Sequence, residues 1–183
     1  MIGRNYQLYN RQCRGPKDKK IMVKVGVVSD THIYNSEDLP AQLLNAFSNV
    51  DLILHAGDLV SLTVLEGLKK ITPMIKAVWG NMDPPEVKRA LPEREIIRIE
   101  RFRIGLTHGS GAPFNLMKTV KEKFRNEKVD CIVYGHSHFP KNEINQGILY
   151  FNPGSPTDKF FAPYNSYGIL EIDKKITGKI IRL

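Results

Sequence analysis

Five short segments of this chain carry aspartate, asparagine or histidine, and each follows directly after a predicted strand. They are Asp30-Thr31-His32, Gly57-Asp58, Gly80-Asn81-Met82-Asp83, His108-Gly109 and Gly135-His136-Ser137-His138. Carboxylate and imidazole groups together bind borderline divalent ions such as Mn²⁺, Fe²⁺, Co²⁺, Ni²⁺ and Zn²⁺, whereas Mg²⁺ and Ca²⁺ favour oxygen donors. The residue types therefore predict a transition-metal site.

The spacing within two of these segments strengthens that prediction. Asp30-x-His32 and His136-x-His138 each place two donors on one segment, and the two would point the same way if the segment were extended. Any one of the motifs occurs by chance, and a single histidine is more often structural than a ligand. The ordered set uses four of the five histidines, which favours one shared metal site over separate structural roles.

The elements that must position these residues alternate in the first half of the chain. The apolar runs Met22–Ser29, Leu52–Ala56 and Met74–Trp79 predict buried strands. Pro40 and Ser61 mark the starts of two intervening helices, as a first-turn proline and an N-cap. This βαβαβ order implies a parallel sheet, and ligands collect at the carboxyl ends of the strands of such a sheet.

The second half predicts more strands and one helix. The helix runs through Met117 to Phe124, and Arg101-Phe102 is expected to reverse the chain between two strands. The expected strands are Glu95–Glu100, Arg103–His108, Asp130–Tyr134, a hairpin around Gln146-Gly147 that includes Ile144 and Ile148–Phe151, and a last hairpin of Tyr167–Ile172 with Ile176–Ile181. The expected fold is α/β, with two packed mixed sheets and helices outside them.

Composition limits the class of protein. The net charge is +8, but residues 1–20 carry +5 of it, so residues 21–183 are nearly balanced. We expect a basic, disordered extension over residues 1–20 and one domain over residues 21–183, and this distribution is weak support for nucleic-acid binding. No apolar run is long enough to span a bilayer, and the two cysteines make no disulfide framework, so a cytoplasmic location is expected.

The ordered motifs, together with Asn152-Pro153-Gly154-Ser155, resemble those of the calcineurin-like metallophosphoesterases, and most closely the small prokaryotic phosphodiesterases of the YfcE type. The resemblance runs from about Met22 to the C-terminus. It implies a four-layer α/β/β/α sandwich and hydrolysis of a phosphodiester by a hydroxide held between two divalent ions. Mn²⁺ is the first candidate, with Ni²⁺, Fe²⁺, Co²⁺ or Zn²⁺ as alternatives.

The resemblance also implies a role for each site residue. One ion would be held by Asp30, His32, Asp58 and His138, and the other by Asp58, Asn81, His108 and His136, with Asp58 bridging. The residues expected to hold the nucleophile are Asp58, Asn81 and His108. Larger members of the family have a histidine where this chain has Met82, and methionine cannot donate a proton. A phosphoprotein phosphatase is therefore not expected.

Several neighbouring residues have two interpretations. Asp83 is expected either to orient a metal-binding histidine, His32 or His108, or to cap the turn at Pro84-Pro85. Asn152 and Ser155 are expected to lie near the substrate, or to serve only as turn residues. His55 is interpreted as a structural histidine. The aromatic residues that flank the motif loops are candidates for a pocket rim, although ordinary packing is the simpler role for each: Phe139, Phe160, Phe161 and Tyr164.

Three functions remain open from the sequence. The first is a phosphodiesterase acting on a small or nucleotide-like substrate. The second is a phosphomonoesterase, which the same metal centre can support. The third is a non-catalytic scaffold like the retromer subunit that shares this fold, against which the intact set of ligand residues argues. Self-association through Phe160-Phe161 is a further expectation.

Overall fold

A computed structural model describes residues 22–72 and 74–183, so the basic segment 1–20 lies outside the described residues. The described chain forms ten strands and four α-helices. The strands are β1 (Val23–Val28), β2 (Leu52–His55), β3 (Ile75–Ala77), β4 (Arg94–Ile99), β5 (Phe102–Thr107), β6 (Cys131–Val133), β7 (Lys141–Asn145), β8 (Ile148–Asn152), β9 (Ser166–Ile172) and β10 (Ile176–Arg182). The helices are α1 (Ala41–Phe47), α2 (Thr63–Lys69), α3 (Pro85–Ala90) and α4 (Leu116–Glu122).

The strands form two mixed sheets of five, as predicted. The first has the order β10-β9-β1-β2-β3. Its strands β1, β2 and β3 are parallel and joined through α1 and α2, which confirms the βαβαβ opening, while β9 runs antiparallel to β1. The second sheet has the order β4-β5-β6-β8-β7, with a parallel centre and an antiparallel strand at each edge.

The apolar core is divided into three layers by the two sheets. The central layer lies between the sheets and includes Val25, Val27, Ile104 and Phe151. A second layer packs α1, α2 and α3 against the outer face of the first sheet, and a third packs α4 against the second sheet. This arrangement confirms the four-layer α/β/β/α sandwich.

Two local expectations were wrong. Pro84-Pro85 does not form a turn but begins α3, because Pro85 occupies the first helical position, where a missing N–H costs nothing. Phe102 does not belong to the β4–β5 reversal, since it pairs with Ile99 in the ladder. The reversal lies one residue earlier and depends on Glu100, whose φ is +52°.

The residues predicted to start the first two helices, Pro40 and Ser61, lie one or two residues before the observed helix starts. Pro40 immediately precedes α1 instead of lying in its first turn. Ser61 lies two residues before α2, where its hydroxyl accepts the Thr63 N–H (3.3 Å). None of the helices in residues 22–72 and 74–183 is long and apolar enough to cross a membrane.

Phe151 fills the space between the sheets only because glycines face it. Phe151 is fully buried, and a Cβ added to Gly168 on β9 or to Gly178 on β10 would overlap its ring. Neither glycine has a positive φ, so its role is to make room for the ring rather than to allow an unusual backbone.

We therefore expect Gly168→Ala to destabilise the domain by about 1–3 kcal/mol through overpacking. Urea unfolding would show a lower midpoint with an unchanged slope. The double variant Gly168→Ala/Phe151→Leu provides the control, because the smaller side chain makes room for the new methyl group. Its loss should be less than the sum of the two single losses, and strict additivity would contradict this account.

Candidate metal centre

All seven predicted ligands lie together where the two sheets meet. They follow the carboxyl ends of strands from both sheets: Asp30 and His32 after β1, Asp58 after β2, Asn81 after β3, His108 after β5, and His136 and His138 after β6. Two groups, Asp30–His32–His138 and Asp30–Asp58–His108, each have ligand atoms within 4.8 Å of one another. The strand ends thus gather five distant segments into one cluster.

The first half of the cluster has the spacing of ligands around one cation. The Nε2 atoms of His32 and His138 are 3.2 Å apart, and His138 Nε2 is 3.4 Å from Asp30 Oδ1. Two donors that each lie about 2.0–2.1 Å from a tetrahedral ion are separated by roughly 3.3 Å. His32 Nε2 lies 4.0 Å from Asp30 Oδ1, so the three donor atoms surround a space of about the size that one divalent ion needs.

The second half of the cluster runs continuously through four side chains. Asp58 Oδ2 is 3.2 Å from His108 Nε2, which is 3.1 Å from Asn81 Oδ1. The same Asn81 oxygen is 2.8 Å from His136 Nδ1. Asp58 Oδ2 also lies 3.7 Å from His32 Nε2, so this oxygen stands between the two halves and could serve both.

Three histidines have the outward-facing ring nitrogen fixed by an acceptor. His108 Nδ1 donates to the Ala56 carbonyl (2.7 Å), and His136 Nε2 donates to the Gly111 carbonyl (2.8 Å). His138 Nδ1 donates to the Asp158 carboxylate. Because these oxygens can only accept, each neutral ring must direct a lone pair into the cluster. The donor set therefore fits a divalent metal ion.

Buried negative charge dominates the electrostatics of the cluster. Burial alone would raise the pKa of the Asp30 carboxyl, but the imidazoles of His108 and His138 hold it below its usual value. Burial would likewise lower the pKa of His108, and Asp30 and Asp58 raise it. The pKa of His138 is raised to about 9 against the effect of burial by Asp30 and Asp158. The carboxylates thus attract positive charge, as protons or as metal cations.

The segments that carry the predicted ligands are not extended, so the condition under which two donors of one segment would point the same way is not met. Five of the predicted ligands have left-handed backbone, with φ between +44° and +71°: Asp30, His32, Asp58, His136 and His138. Left-handed conformation costs roughly 1–2 kcal/mol per residue and is tolerated best by Asp, Asn, His and Gly. The donors converge because the chain turns sharply at each strand end, and not because side chains alternate along a strand.

Asp83 acts on the backbone of the site. Its hydrogen bonds go neither to the site histidines nor to the Pro84-Pro85 segment. The buried carboxylate accepts the N–H groups of Asp58 (3.0 Å), Val60 (2.7 Å) and Gly80 (2.7 Å). It therefore fastens the loop after β2 to the loop after β3.

Asn152 and Ser155 fix other loops of the site in the same way. The Asn152 amide donates to the Gly135 carbonyl (2.8 Å) and to Ser137 Oγ (3.1 Å). The Ser155 hydroxyl donates to the Asp30 carbonyl (2.7 Å). Both side chains are fully buried, so the structure places them beneath the ligand loops, with their polar groups engaged by the backbone and by Ser137.

Asp158 is a site residue that the sequence analysis missed. Besides accepting from His138, its carboxylate accepts the N–H groups of Phe160 (2.8 Å) and Ala162 (2.9 Å). In the sequence, the only feature that pointed to Asp158 was its position three residues after Ser155. The structure shows a contact between them, since Ser155 Oγ accepts the Asp158 N–H (3.0 Å).

His55 is a neutral structural histidine, in agreement with its interpretation from the sequence. Its Nδ1 accepts the Gly57 N–H (3.3 Å), so Nε2 carries the proton and donates to Thr31 Oγ1 (3.2 Å). Complete burial lowers the pKa of His55 to about 3. Between about pH 3 and 6.5 the unfolded chain therefore binds a proton at this residue that the folded chain does not, and stability falls as the pH falls.

We expect this proton to contribute about 1.4 kcal/mol per pH unit to the pH dependence of the unfolding free energy between pH 4 and 6. Urea unfolding in EDTA at pH 4, 5, 6 and 7 measures the slope. His55→Gln removes the titrating group, so its slope should be shallower by about that amount, whatever its absolute stability. Equal slopes for the two proteins would contradict the assignment of this pH dependence to His55.

Comparison with known proteins gives a consistent family. Residues 23–175 match the sequence model of a protein family, the calcineurin-like phosphoesterase superfamily domain. The chain is 37% identical over 163 residues to a probable metallophosphoesterase of Methanocaldococcus jannaschii, covering 86% of this chain and 80% of that protein.

Solved structures agree with that family. One described as a novel archaeal phosphodiesterase has a TM-score of 0.72 at 25% identity and covers 88% of this chain and 100% of its own. Vacuolar protein sorting 29 from Cryptosporidium parvum has the same TM-score at 23% identity, covering 88% and 98%, which is a likeness of fold alone. With a family match over most of its length and the expected residues gathered in one cluster, the chain belongs to the calcineurin-like phosphoesterase superfamily.

Proposed function

We propose that this protein is a divalent-metal-dependent phosphodiesterase with a dinuclear centre. The observation that carries the proposal is the fixed orientation of His108, His136 and His138, each of which directs a ring nitrogen into the cluster while its other nitrogen is held by an oxygen. Such outer partners are typical of metal-binding histidines. The structural similarity to the archaeal phosphodiesterase supports the choice of a diester.

Two sets of residues would hold the ions. Asp30, His32 and His138 form one set, and Asn81, His108 and His136 form the other, with Asp58 between them. The mixture of carboxylate, amide and imidazole donors suits Mn²⁺, and also Fe²⁺, Co²⁺, Ni²⁺ or Zn²⁺. When bound, two such ions activate water as a nucleophile and offset negative charge on the phosphoryl oxygens.

The chain's own groups prepare the centre for that reaction. The Met82 N–H donates to Asp58 Oδ1 (2.8 Å), which leaves Oδ2 directed into the cluster. The Met82 side chain is exposed beside Asn81 and has no proton to donate. Either the favoured substrates are esters whose leaving groups need little protonation, or another group supplies the proton, and a phosphoprotein phosphatase is not expected.

Two alternatives remain in view. A phosphomonoesterase would use the same residues and differ only in the substrate. A protein-binding scaffold is suggested by the fold shared with vacuolar protein sorting 29 and by the exposed rings of Phe160 and Phe161. The ligand cluster, together with the phosphodiesterase among the solved structures, favours the enzyme.

The direct test is hydrolysis of bis-p-nitrophenyl phosphate by metal-stripped protein before and after Mn²⁺ is added, with p-nitrophenyl phosphate as the monoester. We expect activity only with metal and a higher rate for the diester. Asp58→Asn should lower the rate by at least the roughly 10- to 100-fold that loss of an outer partner costs, because Asp58 serves both halves of the cluster.

The outcomes separate the three functions. A faster monoester reaction would keep the metal chemistry and overturn the diester. No hydrolysis with Mn²⁺, Fe²⁺, Co²⁺, Ni²⁺ or Zn²⁺ would overturn the enzyme and favour the scaffold. Asp51→Asn serves as the control for substitution of aspartate, since Asp51 also accepts a backbone N–H (Lys24, 2.9 Å) but lies outside the cluster.

We further expect Asp158→Asn to weaken Mn²⁺ binding by about 10- to 100-fold, because an amide no longer fixes the His138 proton on Nδ1. Isothermal titration calorimetry of the metal-stripped protein measures the affinity, and ¹⁵N spectra of the imidazoles report the His138 tautomer. Asp51→Asn should bind Mn²⁺ like the unsubstituted protein. An unchanged affinity with an unchanged His138 tautomer would show that Asp158 does not position this ligand.

A further inference from the structure

The segment 155–158 is bonded to the loop after β1, which carries two of the predicted ligands. Ser155 Oγ donates to the Asp30 carbonyl (2.7 Å). Thr157 Oγ1 donates to the carbonyl of Thr31, the residue that follows Asp30 (2.6 Å). Two consecutive carbonyls of this strained loop are therefore held by two hydroxyl groups of one short segment.

The same segment is also bonded to the loop after β6. The Asp158 carboxylate accepts the Nδ1 proton of His138. The other ring nitrogen of His138 lies 3.2 Å from His32 Nε2 and 3.4 Å from Asp30 Oδ1. Segment 155–158 thus joins the two loops whose donors form the first half of the cluster.

Thr31 is fixed from two directions at once. Its side-chain Oγ1 accepts from Nε2 of the buried His55 (3.2 Å), and its carbonyl accepts from Thr157. Within the part of the chain that the structure describes, no other donor reaches this carbonyl. Because Thr31 is fully buried, loss of the Thr157 hydroxyl would leave a buried acceptor without a partner, which the loop can relieve only by moving.

The segment 155–158 is anchored to the first sheet. Ser166, the first residue of β9, donates its N–H to the Ser155 carbonyl (2.9 Å). The Asn165 amide donates to the Asp158 carbonyl (2.6 Å) and to the Ser155 carbonyl (3.4 Å). Ser155 Oγ also accepts the Asp158 N–H (3.0 Å). The segment is therefore a closed turn attached to a packed strand, which gives its hydroxyls fixed positions.

The second half of the cluster is held by other groups. His108 and His136 are fixed by backbone carbonyls of the loops after β2 and β5. Among the hydrogen bonds of residues 22–72 and 74–183, none joins segment 155–158 to either of these histidines or to Asn81. The imidazoles of the two halves therefore have separate supports.

We propose that Thr157 is a positioning residue for the first of the two metal ions. Its hydroxyl fixes the turn between Asp30 and His32, while the same segment fixes the third donor, His138, through Asp158. The inference rests on the proposed dinuclear centre and adds a support that acts on one ion and not on the other. It is independent of whether the substrate is a diester or a monoester.

Binding of Zn²⁺ to the metal-stripped protein, at free concentrations set by a chelating buffer, tests the proposal without turnover. In ¹⁵N spectra of the imidazoles, His32 and His138 report the first half, and His108 and His136 report the second. We expect Thr157→Val to raise the free Zn²⁺ concentration at half-occupancy of the first half about 3- to 10-fold, which is what one hydrogen bond contributes. The curve of the second half should be unchanged.

Three further variants identify the cause. Thr157→Ser keeps the hydroxyl and should restore binding in the first half. Thr157→Ala lacks the hydroxyl without a second methyl group and should show the same split as Thr157→Val, so the test does not depend on the folding of one variant. Thr177→Val is the matched control, because Thr177 is also half-buried and also donates to a carbonyl (Glu171, 3.3 Å) but lies on β10. It should change neither curve.

A role in stability alone gives a different result. Equal weakening of both halves in Thr157→Val would overturn the inference, and so would unchanged Zn²⁺ binding, with or without a lower midpoint of urea unfolding in EDTA. Weak binding that persists in Thr157→Ser would also overturn it, because the hydroxyl would then not be the cause.

The failures of this inference and of the proposed function are distinguishable. If the unsubstituted protein binds Zn²⁺ in neither half, the metal centre is wrong, and both proposals are overturned. If Zn²⁺ binds in both halves but Thr157→Val shows no split, only the positioning role is overturned. If the split is observed and no phosphate ester is hydrolysed, the positioning role stands and the proposed function is overturned.

Discussion

The burial of the Asp30 carboxylate is the constraint on which the rest of the site depends. Its oxygens accept the His136 N–H (3.1 Å to each) and lie 3.4 Å from His138 Nε2. Its own N–H donates to the Gly57 carbonyl (3.0 Å), and its carbonyl accepts from Ser155 (2.7 Å). An unpaired buried carboxylate would cost several kcal/mol, so four segments must remain in register around this one residue for the domain to fold.

That requirement explains why strained loops persist at the strand ends. Val60, a β-branched residue with φ +73°, is held by its N–H bond to Asp83, and the same carboxylate holds Asp58 and Gly80. Each left-handed residue costs on the order of 1 kcal/mol, which the core between the sheets must offset. The packed strands therefore supply the stability that keeps the strained loops, and the donor atoms on them, in fixed positions.

The sequence was sufficient for the strands and for the set of residues that the structure gathers into one cluster, because both depend on local patterns. Apolar runs locate β1 and β2, and residue type alone distinguishes Asp30 or His138 as donors. The roles of the residues that support the cluster could not be predicted from the sequence. The Asp83 carboxylate accepts the N–H of Asp58, which lies 25 residues away in the sequence. Every residue except proline has a backbone N–H, so the pattern of side chains does not indicate which one is bonded. Asp158 was missed for the same reason, since its partner His138 comes from another loop.

The arrangement of charge also bears on whether this member of the superfamily is a catalyst or a scaffold, which fold alone cannot decide. Replacing buried charged groups with apolar ones of similar volume is often neutral or stabilising. In a chain selected only to present a surface, apolar groups in place of Asp30, Asp58 and their imidazole partners together would therefore cost little stability. This chain keeps them, and Ala56, Gly111 and Asp158 hold the outward ring nitrogens of His108, His136 and His138, so that the other nitrogen of each ring faces the cluster. Such a combination lowers stability and prepares a cation site, which is the compromise expected of an enzyme.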